Sequence, residues 1–222
     1  MWHLKKMLLS LTVIGALSCF TITGTFALLN SETQNNRNKV SSGTLTFTNK
    51  VNTNTACASY GVGSTGNANP GCDALFTSTT QMYPGTPVTQ RVTITNDGSI
   101  AGSALSVYMP TCSVTATSGA PAGGGNPCAL GGLQIYIQET DSSFANPSCI
   151  FPTTGGACGF ANNSMAYLAS VTNTSASALA LGAGPAAGAS RYFVIGLQLP
   201  VGASNTLQGE QANFNLTWRL SS

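Results

Sequence analysis

Beyond residue 40, apolar and polar residues alternate with a period of two over much of the chain, the mark of half-buried β-strands. Leu45 and Phe47 alternate with Thr44, Thr46 and Thr48, and Val92 and Ile94 with Arg91, Thr93 and Thr95. Leu105, Val107 and Met109 form a further face, and Leu133, Ile135 and Ile137 another. Phe193, Ile195, Leu197 and Leu199 make a strand that ends at Pro200. The longest alternation is the last, with Ala212, Phe214, Leu216, Trp218 and Leu220 on one side and Asn213, Asn215, Thr217 and Arg219 on the other. It predicts one continuous strand. Turn signals fall between these runs at Tyr83-Pro84-Gly85, Asn96-Asp97-Gly98, Gly131-Gly132 and Gln208-Gly209. No stretch carries a 3.6-residue apolar stripe. Residues 175–181 are rich in Ala and Leu and could form a short helix, stopped by Gly182, Gly184 and Pro185. The pattern predicts an all-β fold, a two-sheet jelly-roll-like sandwich with long loops, over residues 41–222.

The first 27 residues follow another rule. Lys5-Lys6 precede an apolar run from Met7 to Phe20, and Gly24-Thr25-Phe26-Ala27 supplies the small residues of a cleavage site. The run is shorter than the ~20 residues a membrane helix needs, so it reads as a secretory signal, cut between Ala27 and Leu28, rather than as an anchor. A rival site is Ala16-Leu17-Ser18-Cys19, which resembles a lipoprotein site except that Ala16 stands where Leu is usual. Residues 28–38 are polar and read as an extended lead segment.

Seven cysteines agree with export. Cys19 belongs to the leader. Cys57, Cys72, Cys112, Cys128, Cys149 and Cys158 allow 15 connectivities, but they fall into neighbours: 57 with 72, 112 with 128, 149 with 158. Each pair brackets a segment rich in Gly, Pro, Ser or Asn, and closing such a loop stabilises by about 2–4 kcal/mol. Local disulfides are therefore expected, with the connectivity left open. Zinc ligation has neither a Cys-x-x-Cys nor a histidine to support it.

Charge narrows the functions available. Charged residues make up 6% of the chain, against about 25% in ordinary globular proteins. Of its eight Lys and Arg, two lie in the leader, which leaves six against six acids and a net charge of zero. Such a surface has no electrostatic footprint for nucleic acid or an anionic membrane, and it lacks the repulsion that keeps monomers apart. The sole histidine, His3, precedes the cleavage site, so the processed chain has no His-based triad or zinc site. Glu139 and Asp141 are the only close acid pair, and Asp141-Ser142-Ser143 reads as a turn, so no catalytic dyad is expected. Calcium could sit at Asp97 or Asp141, although Asp97 is better explained as a turn residue. No cofactor motif is present. Trp218 shares a face with Phe214, Leu216 and Leu220 and is expected in the core, whereas Tyr192 and Tyr136 are candidate exposed rings for stacking on sugar.

Taken in order, several of these motifs resemble the TasA/camelysin family. Gly24-Thr25-Phe26-Ala27, a short polar stretch and Ser42-Gly43-Thr44-Leu45 are similar to its beginning. Pro84-Gly85, a strand, Asn96-Asp97-Gly98-Ser99 and a second strand follow, and Leu207-Gln208-Gly209 precedes the last strand. The resemblance implies processing by a SipW-type signal peptidase. It further implies a secreted jelly-roll subunit of an extracellular fibre or biofilm matrix, whose segment 28–40 completes a sheet in the next copy. The expected partner is thus the chain itself, head to tail, with matrix polysaccharide as a second. Leu28, Leu29 and Val40 are the only large apolar residues of that donor segment, and the three cysteine pairs depart from better-known members. A monomeric cell-surface module that recognises carbohydrate is the alternative. N-terminal sequencing of the secreted product is expected to begin at Leu28; a blocked, lipidated Cys19 would overturn the cleavage assignment.

Overall fold

The computed structural model of the chain describes His3 and residues 43–60, 72–77, 82–117, 122–152, 158–162 and 164–222. The chain divides into two units, Met1–Ser42 and Gly43–Ser222. The predicted leader, its cleavage site at Ala27 and Leu28, and the donor residues Leu28, Leu29 and Val40 lie outside the described residues.

The second unit is an all-β sandwich with one short helix. Its larger sheet contains β1 (Phe47–Val51), β2 (Cys57–Ala58), β3 (Val88–Asn96), β6 (Gln134–Thr140), β7 (Ser148–Phe151) and β9 (Ser190–Gln198), in the spatial order β2-β1-β3-β9-β6-β7. Every pairing in it is antiparallel. Opposite it lie β4 (Ala104–Tyr108) between β11 (Thr217–Ser221) and β8 (Leu179–Ala180), and β5 (Cys112–Ala116) paired with β10 (Glu210–Phe214). Successive strands repeatedly change sheet, which gives the predicted jelly-roll-like wind.

The smaller layer is in effect one long ribbon with a kink. Tyr108 pairs with Thr217 and Cys112 with Phe214, so three residues on one side (Met109, Pro110, Thr111) face two on the other (Asn215, Leu216). One extra residue is a β-bulge, and it falls at Pro110, whose nitrogen has no hydrogen to give a ladder. The predicted single last strand is therefore two, β10 and β11, bent at this bulge.

The core forms where the alternating faces meet. Val92, Ile94, Ile135, Ile137, Phe193, Ile195 and Leu197 come from the larger sheet, and Leu105, Val107, Met109 and Trp218 from the smaller layer. The Phe193 and Trp218 rings join the layers with centroids 5.1 Å apart. Helix α1 (Ser164–Val171) adds Met165 and Leu168. With just these two residues and Ser164 buried, its stripe was too short to register as periodicity. The Ala/Leu-rich stretch 175–181 is not a helix. Ser177 N–H donates to Thr174 O in a turn, and Leu179–Ala180 pairs with Ser106 and Val107 as β8. Three disulfides join Cys57 to Cys72, Cys112 to Cys128 and Cys149 to Cys158, the neighbouring pairs that the spacing suggested. Disulfides persist in oxidising environments. Among the described residues no helix is long and apolar enough to cross a membrane.

The Asn96-Asp97-Gly98 turn is organised by Asn96, which is fully buried, rather than by Asp97. The Asn96 side chain donates to Ile100 O (2.8 Å) and Pro185 O (3.0 Å) and accepts from Gly98 N–H (3.0 Å). Backbone N–H groups of Asp97 and Gly98 donate to Thr46 O, and those of Ser99 and Ile100 to Thr44 O. A Cβ at Gly98 would stand 2.3 Å from Thr44 O, so only glycine fits beneath that segment. Asn96→Ala strands two carbonyls and is expected to cost about 2–4 kcal/mol of stability. Chemical denaturation with the three disulfides intact measures it.

Candidate functional site: an open groove between the sheets

The last alternating run positions the site. A groove of about 1640 Å³ lies against β10 and β11 and is lined on that side by Ala212, Phe214, Leu216, Trp218 and Leu220. Phe47 and Asn49 of β1 and Leu197 of β9 line it from the larger sheet, and Leu199, Leu75, Phe76, Met82 and Tyr83 are also among its lining. Phe76 packs on Phe214 with ring centroids 6.3 Å apart. Small-molecule pockets run to roughly 300–1,000 Å³, so this groove has room for more than a small ligand. Its described charged residues are Asp73, Glu210 and Arg219. Asp73 accepts from Asn54 Nδ2, and Glu210 accepts from Gly124 N–H.

The same residues that line the groove also present an unused strand edge. Leu105 exchanges backbone bonds with Gly182 and Leu181, and Met109 N–H donates to Thr172 O. Backbone groups alternate sides along a strand, so Ala104, Ser106 and Tyr108 face β11, where they pair with Ser221, Arg219 and Thr217. Trp218 and Leu220 therefore turn their N–H and C=O groups away from β4. Thr117 N–H donates to Gly209 O, which by the same alternation makes Gln211 and Asn213 the residues bonded to β5. Ala212 and Phe214 then face outward. Among the described residues no strand pairs with this outer edge of β10 and β11. One row of residues thus offers apolar side chains to the groove and backbone bonds to a newcomer.

Two polar atoms at the groove are buried without a hydrogen-bond partner among the described residues. They are Trp218 Nε1 and Asn49 Oδ1. Trp218 is 7% exposed, a core position as the sequence suggested, yet its ring also lines the groove.

Residues singled out in the sequence for other chemistry serve structure. Glu139 is held by Arg191 through two 2.7 Å bonds, Nε to Oε1 and Nη2 to Oε2. Arg191 also donates to Leu181 O and Ala183 O. Asp141 closes the turn after β6, accepting from Ser143 Oγ (2.6 Å), Ser143 N–H (2.9 Å), Ala145 N–H (2.9 Å) and Asn146 Nδ2 (2.6 Å). Asp97 accepts from Tyr60 Oη–H, which raises the Tyr60 pKa. Among the described residues no three His, Cys, Asp or Glu gather as a metal site. Of the two rings considered for sugar stacking, Tyr136 is buried at 9% exposure, with Phe160 at 4.8 Å and Gly196 beneath its ring. Tyr192 is half-buried with its ring edge-on to Phe144. Neither is an open platform; the exposed tyrosines are Tyr60, Tyr83 and Tyr167.

No family model matches the chain, and no curated protein matches it.

The bonds from Ser143 and Ala145 hold the Asp141 carboxyl down to about 2. Its folded value lies below the ordinary ~3.9, so its hold on the turn is complete above that value and is lost as pH falls towards 2. The Ser143 and Ala145 amide resonances are expected to titrate together in that window, and to lose that titration in Asp141→Asn.

Proposed function

We propose that the chain is a secreted structural subunit which polymerises by lending residues 28–40 of one copy to the groove of the next. The product is an extracellular fibre or matrix element, as the resemblance to the TasA/camelysin family implies. The observation that carries this reading is the outer edge of β10 and β11, where backbone groups unpaired among the described residues and groove-facing apolar side chains belong to the same residues. Strand addition uses these two features together: main-chain bonds for affinity and alternate side chains for fit.

Length and charge agree with that occupant. Residues 210–221 extend about 40 Å and residues 28–40 about 43 Å, at about 3.3 Å per residue. The described lining carries two acids against one arginine, whereas the segment carries Arg37 and Lys39 against Glu32. A segment given forward and a groove filled from behind make a head-to-tail contact that does not close on itself, hence a filament. The three disulfides fit an oxidising, extracellular setting, and the near absence of net charge removes a barrier to association.

The chain beginning at Leu28 is expected to form filaments in negative-stain electron microscopy. Deletion of residues 28–40 should leave a monomer by analytical ultracentrifugation, with the circular dichroism of the parent. Filaments from the deleted chain, or a parent that stays monomeric at high concentration, would overturn the proposal.

A further inference from the structure

One wall of the groove belongs to no sheet. Residues 72–77 line the groove throughout, and Leu75 and Phe76 pack half-buried against the core. Phe76 reaches the strand edge, its ring resting on that of Phe214. Yet among the described residues no backbone hydrogen bond joins residues 73–76 to either layer of the sandwich. Two attachments hold the start of this wall. Cys72 is bridged to Cys57 of β2, and Asp73 accepts a 3.0 Å bond from Asn54 Nδ2. Both lead to the hairpin of β1 and β2, whose Phe47, Asn49, Cys57 and Ser59 line the groove as well. The bridge therefore ties two parts of the lining together.

Of the three bridges, this one alone has its cysteines in the groove lining. The fully buried apolar residues of the core come from β3, β6, β9, α1 and residues 105–109, and none from residues 57–77. The sheets can thus form without it. The wall is less secure. Fixing a segment costs backbone entropy at every residue, and residues 73–76 offset this with one side-chain hydrogen bond and two half-buried apolar side chains. A crosslink lowers the cost by limiting where the segment can go when unfastened. We infer that Cys57–Cys72 is a latch, which holds residues 72–77 as a wall of the groove and so makes polymerisation depend on oxidation of the chain. This inference rests on the polymer reading above. Closing the latch forms one S–S bond from two thiols; two electrons and two protons pass to the disulfide of a thiol–disulfide exchange partner, which leaves as a dithiol. A reduced chain, as a cytosol keeps its thiols, would have the sandwich without the wall.

The test uses the chain beginning at Leu28 with para-fluorophenylalanine at residue 76, whose fluorine resonance reads the packing of that ring on Phe214. In Cys57→Ser with Cys72→Ser the resonance should move to its unfolded-chain position, while the far-ultraviolet circular dichroism stays that of the parent. The concentration needed for polymerisation should rise by about fivefold, the scale of one aromatic contact. Phe76→Ala with the bridge intact should raise it by a similar factor. The two changes together should do little more than either alone, because both remove the same wall. An unmoved resonance, a threshold like the parent's in either variant, or fully additive losses overturn the latch and leave the polymer reading standing. If the serine variant does not fold, the Phe76→Ala threshold alone decides. A parent that never polymerises defeats both.

Discussion

A β-strand carries two rows of backbone hydrogen-bonding groups, and in β10 and β11 the described structure uses only one of them. The inner row is committed to β5 and β4. The outer row belongs to Ala212, Phe214, Leu216, Trp218 and Leu220, whose side chains turn towards the core and the groove. Apolar burial and backbone pairing are usually satisfied by separate neighbours. Here a single added strand would satisfy both, and that coupling sets the direction of everything inferred about function. Exposed strand edges are normally blunted by charge, proline or cover. Along 210–221 the charged residues are Glu210 and Arg219, and Arg219 has its backbone turned to β4.

The opposite sheet supplies the rigidity such a groove needs. Its central strands β3, β9 and β6 pair along nearly their whole lengths, and their inward residues are almost fully buried. Arg191 and Glu139 clamp the start of β9 to the end of β6, and Arg191 reaches on to the carbonyls of Leu181 and Ala183 beside β8. The disulfides act elsewhere. Each closes a local loop of 9 to 16 residues, and Cys57 and Cys72 sit at the groove's rim.

The strong alternations were legible because both faces of the sandwich impose the same period on the sequence. Val92 with Ile94, Ile135 with Ile137, and Phe193 with Ile195 and Leu197 all landed in strands with those side chains buried. The disulfide neighbours were legible from spacing and loop composition. Short elements were not. β5, at Cys112–Ala116, is polar and owes its place to pairing with β10, while β8 is two residues held by β4. Helix α1 has too few turns to display a stripe. The break between β10 and β11 came from the partner side, at Pro110, where no reading of the final run alone could find it. The groove lies a step further off. Its apolar row was visible as a pattern, but the free edge depends on which strands neighbour it. The buried atoms of Trp218 and Asn49 depend on how distant strands pack around each, which no local pattern shows.

The clamp on Thr44 and Thr46 has a mechanical meaning. Four N–H groups of residues 97–100 grip their two carbonyls, and β1 then runs antiparallel along β3 through five consecutive pairs from Phe47 to Val51. A pull directed along β1 would load these rungs together in shear, so that they share the tension instead of peeling open in turn. Along that one direction the strand is gripped in the geometry that best resists rupture.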